Sequence, residues 1–190
     1  MIQGISLVHP NGKIEKTYVG NFTLQDLAFF EESEENISVI ATLPATPTDY
    51  YDYDLAIFVG IGNQPSPDSV FDYETKKWVD NRTLEDAKGQ KWEEIKSQRD
   101  QLEFGGFEFD GNIYDSDQVS QGRIMGAAMA GVDQTWTLAD NSTVELTASQ
   151  LNQLYSALQA HVASVHERGR IARQLISEAE TKEAVEAIQL

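Results

Sequence analysis

The chain has 190 residues, 41% hydrophobic and 24% charged, enough apolar material for a packed core and too much for a disordered tail. Its formal net charge of -17, from 31 acidic against 14 basic residues, repels phosphate backbones and anionic lipid, so nucleic acid and membrane surfaces are not expected partners. It has no cysteine, which excludes disulfides, thiolate metal sites and thiol nucleophiles.

The first part reads as short strands. Ile5, Leu7 and the run Ile14 to Val19 flank His9-Pro10-Asn11-Gly12, whose Asn-Gly pair signals a hairpin. Thr23 with Asp26 resembles a capping box and predicts a short helix over Leu24 to Phe30. Ile37 to Leu43 has strand character and stops before Pro44 and Pro47. The acidic, aromatic stretch Asp49-Tyr50-Tyr51-Asp52-Tyr53-Asp54 reads as an exposed loop, and the apolar run Leu55 to Ile61 as a strand. Val70-Phe71-Asp72-Tyr73 and Lys77-Trp78-Val79 suggest a further hairpin.

At Asn81 the apolar period lengthens. Thr83 and Asp86 predict a cap for a helix with Leu84, Trp92, Ile95 and Leu102 on one side, ending at Gly105-Gly106. Phe107 to Tyr114 is a hairpin around Asp110-Gly111. Ser116 is placed to cap the next helix, Asp117 to about Ala130, where Gly122, Gly126, Ala127, Ala128 and Ala130 let another backbone approach closely. Thr135 to Leu138 and Thr143 to Leu146 form a hairpin around Asp140-Asn141-Ser142. Thr147 and Gln150 box the start of the longest helix, Ala148 to Ala179, where Leu151, Leu158, Val165, Ala172 and Ala179 recur every seven residues. Tyr155, Val162 and Ile176 run parallel to them, with a break at Gly169, and Thr181 restarts a short helix. A helix lying across its own domain and a coiled coil both fit this pattern. The expected fold is α+β, with a strand-rich module over 1–80 and a helix–hairpin–helix–hairpin–long helix module over 81–190. No solenoid or propeller repeat is expected.

Little in the sequence points to chemistry. His161 and His166 are five residues apart and do not share a helix face as a metal-binding pair would, so no metal or other cofactor is expected. Asp110, Asn112, Asp115 and Asp117 resemble a calcium loop only superficially, and a hairpin turn plus a helix cap accounts for them. Nucleophile-elbow and Walker patterns are missing, and nothing singles out a carboxylate pair, so the chain reads as a non-enzyme. The candidate partner-binding residues are Tyr50, Tyr51 and Tyr53 of the acidic stretch, with Tyr155, Val162 and Arg168 on the long helix. For the tyrosines, packing on a sheet, partner docking and cation binding by their acidic neighbours all remain open.

One ordered series stands out. It runs through Tyr73, Trp78-Val79-Asp80, Arg82-Thr83-Leu84, Lys91-Trp92-Glu93-Glu94-Ile95-Lys96 and Arg99-Asp100. It continues through Phe104-Gly105-Gly106-Phe107, Gly111, Tyr114 to Asp117, Ser120, Arg123-Ile124 and Gly126-Ala127. It closes with Trp136 to Asn141, Leu146-Thr147-Ala148, Leu151, His161 and His166. The series resembles a domain of unassigned biochemical function found in phage tail and tail-fibre-assembly proteins. The resemblance implies a tail adaptor or assembly factor without catalytic residues. Its implied partners are tail-fibre or baseplate proteins, with a homo-oligomer possible, and its place is the virion or the host cytoplasm during assembly. Host-receptor or glycan binding by the tyrosine-rich stretch is the alternative.

Overall fold

A computed structural model describes residues 2–33, 38–42 and 44–190. The fold is α+β and divides into two compact units, Met1–Arg82 and Thr83–Leu190.

In the first unit β1 (Ile2–Val8) pairs with β2 (Ile14–Phe22) on one side and β3 (Ser38–Thr42) on the other, both antiparallel. Central placement buries Ile5, Leu7 and Val8. The expected strand over Ile37 to Leu43 is seen from Ser38 to Thr42, and its two end residues lie outside the described set. Helix α1 (Leu24–Ser33) starts at the expected box: the Asp26 carboxylate accepts the Thr23 N–H at 2.7 Å, and the Thr23 hydroxyl accepts the Asp26 N–H at 3.3 Å.

The tyrosine-rich stretch departs from expectation. Asp49–Asp52 is a strand, β4, paired with β5 (Ile57–Gly60). Leu55 and Ala56 belong to the turn between them, because the Asp52 carboxylate accepts the N–H groups of Asp54 and Leu55 at 3.0 Å each and Ala56 takes φ 55°. Next come β6 (Ser69–Asp72) and β7 (Lys77–Asp80), which pair in the same way. The two hairpins are one unit written twice. Asp49↔Gly60 and Tyr51↔Phe58 in the first correspond to Ser69↔Asp80 and Phe71↔Trp78 in the second, a constant offset of 20 residues. Lys76, the equivalent of Ala56, also has positive φ, at 58°. The Asp72 carboxylate accepts the Glu74 N–H at 2.9 Å, as Asp52 accepts that of Asp54. A short tandem repeat is therefore present where the sequence reading expected none of the larger kinds.

The second unit opens with α2 (Leu84–Phe104), whose capping box at Thr83 and Asp86 is fully formed. Its buried face is Ala87, Lys91 and Ile95, while the expected Leu102 is exposed. Hairpin β8 (Phe107–Phe109) and β9 (Asn112–Tyr114) turns at Asp110-Gly111, both with positive φ, and leads to α3 (Gln118–Ala130). Asp117, not Ser116, caps α3: its carboxylate accepts the N–H groups of Val119 at 2.9 Å and Ser120 at 3.3 Å. Ser116 is instead buried, donating to the Glu103 carbonyl at 2.6 Å and accepting from the Gly106 N–H at 2.9 Å, so it ties down the end of α2. Hairpin β10 (Gln134–Thr137) and β11 (Thr143–Leu146) leads to α4 (Ala148–Glu178), boxed by Thr147 and Gln150, and then to α5 (Lys182–Glu186).

Helix α4 organises this unit. Leu151, Leu154 and Leu158 are fully buried with Tyr114, Ile124, Phe107, Leu138 and Leu146. Further along, Ala172 and Ile176 pack with Ile95, with Trp92, Ile188 and Leu190 around them. Gly169 does not break the stripe; it is buried, and a β-carbon there would sit 3.4 Å from the Arg99 side chain, so the small residue lets α2 come close. The seven-residue pattern is thus used within the unit.

Hydrogen bonds hold four exposed carboxyls below the ordinary aspartate range. The Thr23 N–H lowers Asp26, the Thr75 hydroxyl lowers Asp72, the Ser120 hydroxyl lowers Asp117 and the Ser142 hydroxyl lowers Asp140. A depressed folded value means stability fully present above the unfolded value and lost as pH falls through the folded one. We expect the melting temperature to be level from pH 7 down to about 4 and to fall steadily below that. A melting temperature constant down to pH 2 would contradict this role for the caps.

Candidate functional site

A groove of about 660 Å³ in the second unit runs between α3 and β10. One wall is Ser120, Arg123, Gly126 and Ala127 of α3, and the other is the whole of β10 with Leu138. Asp115 and Asn141 lie at its margins. The sequence explains why a groove stays open here. Ser120, Ile124, Ala127 and Ala128 are the α3 residues turned to the interior, whereas Gly122 and Gly126 are exposed and meet no atom within 4 Å of a β-carbon position. The side chains that would fill the space are missing from the helix itself.

The second wall is a sheet edge. Among the described residues β10 pairs only with β11. The Leu138 N–H donates to the Ser142 carbonyl at 2.8 Å, and antiparallel ladders alternate bonded and non-bonded pairs. Counting back, Trp136↔Val144 is a bonded pair, while Thr135↔Glu145 and Thr137↔Thr143 are not. The N–H and C=O groups of Thr135 and Thr137 therefore point away from β11, along an edge open to pairing. The Thr135 hydroxyl is held by the Glu145 carboxylate at 2.7 Å, and Trp136 packs against the core, so the edge is rigid. Arg123, beside this edge, supplies a positive charge in an otherwise acidic chain.

The residues picked from the sequence lie elsewhere. Tyr50 and Tyr51 are buried, each 9% exposed, because β4 is packed on both faces, and they are not available to a partner. Tyr53 is 43% exposed, with its hydroxyl donating to the His9 carbonyl at 3.2 Å. Tyr155 and Val162 pack against the α4 core and are half-buried, whereas Arg168 is exposed. Between them the structure brings together none of the six as a site. The groove was missed because it forms only where the exposed face of α3 meets the unpaired edge of the next strand, and only the run of glycine and alanine in α3 hinted at it.

The histidines serve the fold. His161 reaches the Leu102 carbonyl at 2.9 Å and stacks on Phe107, and His166 contacts the Glu103 carboxylate at 3.0 Å, so both clasp the end of α2. Arg173 lies 5.3 Å from the Trp92 ring, a cation–π contact between α4 and α2. Among the described residues no group of three or more histidine, aspartate or glutamate side chains is placed to hold a metal ion.

No curated protein matches the chain, and no solved structure does. A family model described as "Domain of unknown function (DUF4376)" matches residues 86–189, which takes in nearly all of α2, the groove and the C-terminal helices. That match covers more than half of the chain, which therefore belongs to the DUF4376 family.

Proposed function

We propose that this protein is a non-enzymatic binding protein that takes an extended segment of a partner polypeptide against the edge of β10. The carrying observation is the open edge at Thr135 and Thr137, facing a helix whose Gly126 leaves room for an added strand. A strand adding to an edge gains its affinity from main-chain hydrogen bonds, and flanking side chains give selectivity. Arg123 and Asp115 would pair with opposite charges on the incoming segment.

The resemblance to phage tail proteins supplies the setting for this reading. On this reading the protein would be an adaptor or assembly factor for the tail fibre or adhesin, acting on a fibre or baseplate protein in the virion or in the host cytoplasm. The glycan-binding alternative is weakened by the burial of Tyr50 and Tyr51, which leaves Tyr53 as the exposed ring of that stretch.

Co-expression with a candidate tail-fibre protein tests the proposal. Thr135→Pro removes an outward N–H at an edge position where proline is tolerated in folded sheets. The expected outcome is co-purification with the wild-type chain and loss of it with Thr135→Pro at unchanged circular dichroism. Equal co-purification by both chains, or a fibre that trimerises and never associates with either, contradicts the proposal.

A further inference from the structure

The twenty-residue repeat of the first unit shows how its hairpins are meant to be covered. Each hairpin has one aromatic face and one other face. In the first copy the aromatic face is Tyr51, Tyr53 and Phe58, with ring centroids 5.0 and 5.2 Å apart in edge-on pairs around Tyr51. In the second it is Phe71, Tyr73 and Trp78, with 5.1 and 5.6 Å around Phe71. The opposite faces carry the cross-strand pairs Tyr50↔Val59 and Val70↔Val79.

The copies stack with the aromatic face of the second on the opposite face of the first. Phe71 lies 5.6 Å from Tyr50, ring to ring, and Lys76 of the second turn sits 4.7 Å over the same Tyr50 ring. Trp78 donates its indole N–H to the Ile61 carbonyl at 2.8 Å, locking the pair. Tyr50 is accordingly only 9% exposed. The equivalent residue of the second copy, Val70, is 49% exposed, and its partner Val79 is 42% exposed. A terminal repeat that needs no neighbour is usually capped by a polar outer face. Here the outer face presents two paired valines, the surface on which a next hairpin would sit.

We propose that the Val70–Val79 face docks a β-hairpin of a different polypeptide, one presenting an aromatic cross-strand pair as Phe71 and Trp78 do. A second copy of this chain is a poor occupant. Of its two aromatic faces, one is spent on Tyr50, and the other is closed by Tyr51, at 9% exposure, with Tyr53 bonded to His9. This surface is independent of the β10 groove and of the role read from it.

The probe is a cyclised peptide copying Ser66–Asn81, so that the isolated hairpin is held folded. It is titrated into the full chain while the valine methyl resonances are followed. The expected result is saturable shifts confined to Val70, Val79 and their neighbours, and weakening by at least about tenfold with Val70→Asp in the full chain. A peptide with both aromatic positions replaced by alanine should give no shift. Three results overturn the proposal: no methyl shift at millimolar peptide, equal binding by the alanine peptide, or a full chain that sediments as a dimer broken by Val70→Asp.

Discussion

Leu158→Ala is expected to destabilise the second unit by about 2–5 kcal/mol, the range for emptying a leucine site in a close-packed core. Leu158 is completely buried, in one cluster with Leu151, Leu154, Phe107, Tyr114 and Ile124. These side chains come from the β8–β9 hairpin, α3 and α4, so the substitution strikes the place where three segments meet. Its neighbours in the cluster are themselves close-packed and almost fully buried, so the void can be refilled only in part. Urea unfolding followed by helical circular dichroism reads the effect. A loss below about 1 kcal/mol would mean that this cluster is not the core of the unit.

In the first unit the largest effect is expected from Phe71→Ala, about 3–5 kcal/mol by the usual scale for buried aromatic truncation. The ring is 8% exposed and touches Tyr50, Tyr73 and Trp78 at centroid distances of 5.6, 5.1 and 5.6 Å. It is the residue by which one hairpin copy grips the other. Two-stranded hairpins are marginal alone, so losing the grip should release both. Amide exchange in β4 to β7 should then approach that of an unfolded chain. Retained protection at Val59 and Val79, whose N–H groups bond across their own hairpins, would show that the stacking contributes little.

What was legible in the sequence was local. The capping boxes at Thr83 and Thr147 and the Asp110-Gly111 turn are short patterns whose physics is complete within four or five residues, and each appears in its place. The strand-rich first part followed by a helical second part likewise led to the α+β class, which the chain adopts. The tyrosine stretch misled for a physical reason. Aspartate disfavours strands and Tyr50-Tyr51 breaks the in–out alternation, yet stacked hairpins bury both faces of β4, so no alternation is needed. The tandem copy was hidden because few residues are identical across it, among them Pro47 and Pro67, Asp52 and Asp72, Tyr53 and Tyr73, and Val59 and Val79. Comparing the chain with itself at an offset of 20 would have exposed it. At Ser116 and Asp117 two good capping residues stand side by side, and tertiary structure decides between them. The end of α2 claims the serine hydroxyl, which leaves the aspartate for α3.

The binding groove belongs to a third category, since neither of its walls is a motif. An open strand edge becomes visible only once pairing is known, and room beside it only once the faces of α3 are assigned. Its use is tested most directly by amide hydrogen exchange on the full chain, alone and with the co-expressed fibre protein. Slowed exchange at Thr135 and Thr137, the two outward-facing N–H groups of β10, is the predicted result. Unchanged exchange at both, in a complex that protects other segments, would contradict strand addition at this edge.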